Sequence, residues 1–311
     1  MTFDKAYCEE LRETITSYKA RREFFSKDDN EKFHFTCPDE NCRTELTGVN
    51  IFTVGKFKHR PHFRTKKNYE HTKDCKIIDE ITIPIKEGES EERKVHGTKA
   101  TKHPDEFILS RPKQESDAKA IKEYDEEDDF AREEKTIQRK RTGKDDEYVK
   151  PHRTSYLENV VDSFENMKEE ELSKTFITLN KDRRNYKRTF KNIKYAEDGT
   201  NFIFYGEINP IKKYGNNYAI SFKEKIWFND EKPRIVSIYI TEDLIEKYRL
   251  RRLFKKTIEH LIEFGEKYKS SRCYFVGAYP EEKTIEGKNG SFNVLNIYLE
   301  NLDHLVVKFS E

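Results

Sequence analysis

Apolar side chains are scarce in this chain. The set from Ala to Cys makes up 34% of its 311 residues, and only two are Met. Ordinary globular domains carry ~45–50%. So few apolar groups cannot close-pack the whole length, and some segment is expected to stay solvated. No run of about 18 apolar residues occurs, which excludes a helical membrane span. An excess of charge of one sign is also missing: 60 Lys and Arg face 59 Asp and Glu, for a net charge of +1. That balance excludes a uniformly basic nucleic-acid binder but leaves room for a local basic face. The opening MTFDKAYCEELRETITSYK holds acids and lacks an apolar h-region, so no secretory signal is expected and the cytoplasm is the expected compartment. What is abundant is charge, at 38% against the usual ~25%. Phe and Tyr dominate a 13% aromatic share and must carry much of the core.

The five cysteines, Cys8, Cys37, Cys42, Cys75 and Cys273, are an odd number without an export signal, which favours metal binding or burial over a disulfide framework. Three of them cluster with a histidine. Cys37-Pro-Asp-Glu-Asn-Cys42 is a C-x4-C knuckle, and His71-Thr-Lys-Asp-Cys75 follows as H-x3-C. Each short pair lets one tight turn aim two ligands at a single ion, and the segment between folds back to complete a tetrahedron. Thiolate and imidazole donors suit Zn²⁺ rather than a hard cation. His59 and His62 are rivals for the nitrogen position, and His71 is preferred for its helix-compatible spacing to Cys75. Such a site has all four positions filled by protein, so its metal is structural. Cys8 and Cys273 read as small buried hydrophobes. Between the pairs, Leu46 to Val54 alternates and Phe57 to Phe63 follows, as in a small β-hairpin.

Phe35-Thr-Cys37-Pro, Cys42, Pro61-His62-Phe63-Arg64 and His71-x3-Cys75 together resemble the N-terminal zinc-finger module of competence protein CoiA-like proteins. The resemblance covers about residues 31–78. It implies a zinc ion held by Cys37, Cys42, His71 and Cys75, in a bacterial or phage setting. That family continues into a nuclease domain, whose acidic motif is not traceable here, so only the zinc module carries over.

The fold expected is α+β in three parts. Residues 1–85 combine a leading helix over 5–25 with the zinc-bound hairpin module, and Ile77 to Ile85 alternates like an exit strand. Residues 86–153 form a charged linker whose isolated apolar groups cannot offset ordering entropy. Within it, Phe107-Ile-Leu109 is the one apolar island and Arg139–Arg141 a basic run. Residues 154–311 open with a capping box, Ser155-x-x-Glu158. They continue through strands at 176–179, 190–195, 202–208, 218–228 and 235–240, a long helix at 242–269, and strands at 273–279, 292–299 and 305–309. Strands, one helix and further strands suit an OB-like barrel or a mixed β-sheet domain.

Nucleic-acid binding, single strands favoured, is the chemistry best supported. Arg183, Arg184, Tyr186, Lys187 and Arg188 interleave cations with an aromatic ring, and Lys212 with Lys213 lies in an expected hairpin loop. Arg249, Arg251, Arg252, Lys255 and Lys256 form a further basic set on the long helix. The alternatives are a protein-interaction adaptor of a bacterial or phage defence complex, using the linker or the β domain, and a metal-dependent nuclease. Catalysis has thin support: Glu281-x-Lys283 reads as a turn, and Asn209 stands where Asp198 and Glu207 would need a lysine. No GxxxxGK[ST] or GxSxG occurs.

Overall fold

The computed structural model describes residues 2–27, 31–54, 60–66, 69–79, 103–109, 153–196, 201–227, 233–264, 270–287 and 290–310. Most of the expected linker, with Arg139–Arg141, His59, Ile81–Ile85 and Asp198, lies outside them. The chain is α+β, mostly sheet with a few helices. It divides into two compact units, 1–93 together with 190–311, and 94–189. The sequence expectation had divided it at 85 and 153.

The first unit opens on strands rather than a helix. β1 (Thr2–Phe3), β2 (Lys5–Cys8) and β3 (Glu13–Thr16) precede the helix Ser17–Ser26. The correction has a local cause. Arg12 adopts φ 56 and turns the chain, while Ala6, Cys8 and Ile15 alternate into the core with period two. β-branched Thr14, Ile15 and Thr16 favour the pleat. The helix starts only where the Thr16 side chain accepts from the Lys19 amide at 3.2 Å. β4 (Phe35–Thr36), β5 (Glu45–Val49) and β6 (His62–Thr65) complete a six-stranded antiparallel sheet in the order β1-β6-β5-β4-β2-β3. β5 and β6 form the expected hairpin, with Leu46 opposite Thr65. Phenylalanines fill this small core: Phe24, Phe33, Phe35, Phe52 and Phe63 meet edge-on or stacked. A helix, Lys76–Asp79, stands where the exit strand was expected to begin.

The second unit has its own sheet, β7 (Glu106–Phe107), β8 (Arg153–Thr154), β9 (Phe176–Leu179) and β10 (Asp182–Asn185), ordered β10-β9-β7-β8. The apolar island therefore supplies an inner strand, and Phe107 is buried, as are Leu157, Val160, Val161, Ile177 and Leu179 of this unit. The capping box does not form. The helix Leu157–Asn166 begins after Tyr156, which has no side-chain cap bond, and Thr154 Oγ1 accepts from the Tyr156 amide instead. Asn180 and Lys181, both at positive φ, make the two-residue turn between β9 and β10.

The remaining strands return to the first unit: β11 (Phe190–Asn192), β12 (Ile203–Glu207), β13 (Lys212–Tyr214), β14 (Asn217–Ile226), β15 (Arg234–Ile240), β16 (Ser270–Val276), β17 (Glu281–Gly287), β18 (Gly290–Ile297) and β19 (Leu305–Ser310). They make a four-stranded sheet, β11-β12-β16-β19, and a five-stranded sheet, β13-β14-β15-β18-β17. The two sheets are linked by one bridge and by the chain itself. Ile208 bridges Phe222, and the chain passes from β16 into β17 through Gly277 at φ 78. Between them lies one core containing Phe204, Phe275, Phe222, Ile238, Ile297 and Ile258. The five-stranded sheet is open, with β13 and β17 at its edges, and among the described residues no strand pairing joins β17 to β16 or β12 to β13.

The long helix is two helices, Glu242–Lys247 and Arg251–Phe264. The break has a packing cause: Leu250 is buried in the phenylalanine core of the N-terminal sheet, with Tyr248 and Leu253 against it. Arg22 and Tyr248 both donate to Asp303, Arg249 pairs with Glu23 at 2.6 Å, and Arg252 donates to the Lys27 carbonyl over Phe24. These contacts join the N-terminal and C-terminal segments into one unit. Among the described residues no helix is long and apolar enough to cross a membrane.

Candidate metal centre and basic surfaces

The knuckle is a hydrogen-bonded turn. The Cys37 amide donates to the Thr44 carbonyl at 2.8 Å, and the Cys42 and Arg43 amides both donate to the Asp39 carbonyl at 3.0 Å. Asp39 holds the turn with its side chain too, accepting from the Asn41 amide through Oδ1 and from the Lys76 amide through Oδ2 at 2.9 Å. That second bond ties the knuckle to the residue after Cys75. The Lys76 and Asn41 amides hold the Asp39 carboxyl below its ordinary range. Arg43, at φ 45, lays its guanidinium 3.7 Å from the Tyr7 ring centre.

The Cys37, Cys42, His71 and Cys75 ligand atoms all lie within 4.8 Å of one another, and they form the one such His, Cys, Asp or Glu cluster among the described residues. Cys37 and Cys75 sulfurs are 3.7 Å apart, and His71 Nδ1 lies 3.3 Å from Cys42 Sγ and 3.4 Å from Cys75 Sγ. A tetrahedron at ordinary zinc bond lengths has S–S edges of about 3.8 Å and S–N edges of about 3.6 Å. The four side chains are therefore compatible with a zinc site, with Nδ1 as the ligating nitrogen. Nε2 faces Thr65 Oγ1 at 3.5 Å, and the His71 ring packs 5.2 Å from that of Phe3.

The thiols are not equivalent. Burial pushes Cys37 up to about 12. Burial also acts to raise Cys42, but hydrogen bonds from the Thr44 side chain and backbone and from Thr72 outweigh it and bring it to about 6. Cys42 thus offers a thiolate near neutral pH, whereas ligation through Cys37 must displace a proton. His62 stands apart from this set, its Nδ1 2.8 Å from the Arg60 carbonyl oxygen. Cys8 and Cys273 are buried free thiols, as expected.

Thr44, Asp39 and Thr65 were not singled out by sequence reasoning. Asp39, two residues after Cys37, carried a readable sign, because aspartate commonly bonds the backbone two residues on in a turn.

The basic residues fare unevenly. Tyr186 is fully buried and donates its hydroxyl to the Pro104 carbonyl at 2.8 Å, so the expected stacking ring is a core residue of the second unit. Arg184 pairs with Asp182, and Lys187 pairs with Glu169 at 2.5 Å. Arg183 is exposed and lies over the Phe176 ring, and Arg188 is exposed as well. Lys212 and Lys213 are exposed on β13 in the first unit. Of the set expected on the long helix, Arg249 lies in the break between the two helices, and Arg249, Arg252 and Lys255 are taken up by Glu23, the Lys27 carbonyl and Glu246. Glu281-x-Lys283 is part of β17 rather than a loop, and Glu207 pairs with Lys223 at 3.2 Å. Comparison of the chain with protein-family models, curated proteins and solved structures finds no match, so these side chains alone carry the functional reading.

Proposed function

We propose that this chain is a zinc-organised nucleic-acid-binding protein that takes single strands of DNA or RNA. The ion is structural: four protein donors leave no coordination position for chemistry. The proposed setting, a bacterial or phage DNA-processing or defence system, follows the CoiA-like resemblance. A cytoplasmic location accords with five free cysteines.

The observation that carries the reading is a basic, aromatic hairpin exposed at the edge of the five-stranded sheet. Two sheets packed on one core and joined by the Ile208–Phe222 bridge support an OB-like domain. Lys212, Lys213 and Tyr214 are all exposed where the chain turns from β13 to β14, and Tyr214 is 53% exposed. Cations beside an open ring suit phosphates with stacked bases.

The test is anisotropy of labelled single-stranded DNA and RNA across a salt series. Binding should fall steeply with salt. Lys212→Ala with Lys213→Ala should lower the log–log slope by about 1.4, on ~0.7 per phosphate contact. Absence of binding to either nucleic acid at low salt would overturn the reading and favour a protein-interaction adaptor.

A further inference from the structure

The outer face of the five-stranded sheet carries a groove of about 830 Å³. Val236, Ile238 and Ile240 of β15 point into the core, so Ile235, Ser237 and Tyr239 face outward and line it. Its charge is one-sided. Lys212, Lys225 and Arg234 line it, and among the described residues no carboxylate does. In a chain with 60 bases against 59 acids, a wall without acids marks a face matched to an anion.

The same face exposes apolar and aromatic surface. Tyr214, Ile235 and Ile285 line the groove at 53%, 51% and 40% exposure. Tyr239 and Tyr298 meet edge-on with centroids 6.2 Å apart, and Lys283 sits 3.7 Å over the Tyr298 ring. Lys283 therefore occupies one face of Tyr298, which leaves Tyr214 and Tyr239 as the better platforms. Arg234 donates to Glu282 at 2.7 Å through Nη1, while its Nη2 is buried with no hydrogen bond. The hairpin tip is fixed, because Asn216 donates to Glu242 and Asn217 accepts from the Glu242 amide, both at 2.8 Å.

We propose that this groove is the base-binding site: a single strand lies across β14 and β15, its bases on Tyr214 and Tyr239 and its phosphates on Lys212 and Lys225. The inference rests on the nucleic-acid reading above and assigns its site to the sheet face rather than to Arg183 and Arg188. Flat rings beside cations suit bases joined by phosphates, whereas an acidic peptide would need the cations alone.

The chain has a single tryptophan, Trp227, 65% exposed and two residues beyond Lys225. Its fluorescence is a local reporter. The experiment titrates the full chain with 12-nucleotide oligothymidylate and oligouridylate, reading Trp227 fluorescence and the anisotropy of an end label. The expected result is a saturable Trp227 change, with Tyr214→Ala and Tyr239→Ala each weakening binding about 5- to 150-fold. Lys225→Glu, a surface change, should weaken it as well while circular dichroism stays native. If the oligonucleotide binds, Trp227 stays silent, the groove variants bind normally, and Arg183→Ala with Arg188→Ala abolishes binding, the groove is overturned and the general function stands. If no oligonucleotide binds at low salt, both fall, and saturable binding of oligoglutamate at the groove would mark it as a peptide site.

Discussion

Cys37 and Cys75 are 38 residues apart along the chain, and their sulfurs lie 3.7 Å apart. Two buried thiols at that separation repel each other as thiolates and gain little as thiols. A divalent ion between them removes both problems. The Asp39 carboxylate, bonded to the Lys76 amide, closes the same two segments from outside.

Removing that ion should loosen the sheet around it. Chelation of the purified protein is expected to lower its thermal midpoint, and zinc in excess should restore it, since a ligand that binds only the folded state stabilises by mass action. Differential scanning fluorimetry across a zinc series checks this; a midpoint indifferent to chelator and zinc would count against it.

Arg21 holds the loop after β5. It is 4% exposed, and its Nη1 donates to the carbonyls of Asn50 at 2.9 Å, Ile51 at 3.3 Å and Thr53 at 2.6 Å. Arg21→Ala strands those acceptors and should destabilise the fold by about 2–4 kcal/mol in urea melts. Arg21→Lys should recover part of the loss. An alanine variant as stable as the parent would show that solvent replaces the guanidinium.

Gly48 marks a close approach. A Cβ there would come 2.8 Å from Ile51 Cδ1 and 2.9 Å from Phe35 Cε2, and Phe35 pairs with Leu46 two residues before the Cys37 ligand. Gly48→Ala should cost about 1–3 kcal/mol by overpacking. The same melts read it, and a neutral result would place the Ile51 and Phe35 side chains farther from the strand.

The Glu10–His34 pair gives a pH dependence. Glu10 meets both the His34 amide and Nδ1, the latter at 2.6 Å. The hydrogen bond to Glu10 raises His34 above its ordinary 6.5. Partial burial acts to raise Glu10, but the His34 bonds outweigh it and hold the carboxyl below 4.5. The His34 contribution is full below 6.5 and fades as pH rises through the folded value. The Glu10 contribution is full above 4.5 and fades as pH falls. The pair is therefore strongest between 4.5 and 6.5. In an NMR titration Glu10→Gln should lower the His34 pKa; an unchanged curve would mean the two groups do not meet in solution.

The ligand cluster was legible because short Cys and His spacings translate directly into turn geometry. Strands such as 235–240 were legible from alternation. Other features depend on distant partners that periodicity does not report. Leu11, Ile15 and Tyr18 match a helical stripe, yet the turn at Arg12 sets Ile15 on a strand beside Ala6. Leu250 interrupts a helix because the N-terminal core takes it up. Tyr186 looked like a stacking ring among cations, but its acceptor, the Pro104 carbonyl, lies 82 residues earlier. Lys212 to Tyr214 looked like a loop, and becomes a strand only by pairing with Asn217 to Ala219.

Metal analysis of the full chain, purified without chelator, tests the central claim most directly. One zinc per chain is predicted, falling toward zero in Cys42→Ser and His71→Ala while Cys8→Ser keeps a full complement. Protein that is folded and metal-free, or whose zinc survives both ligand substitutions, would contradict the account.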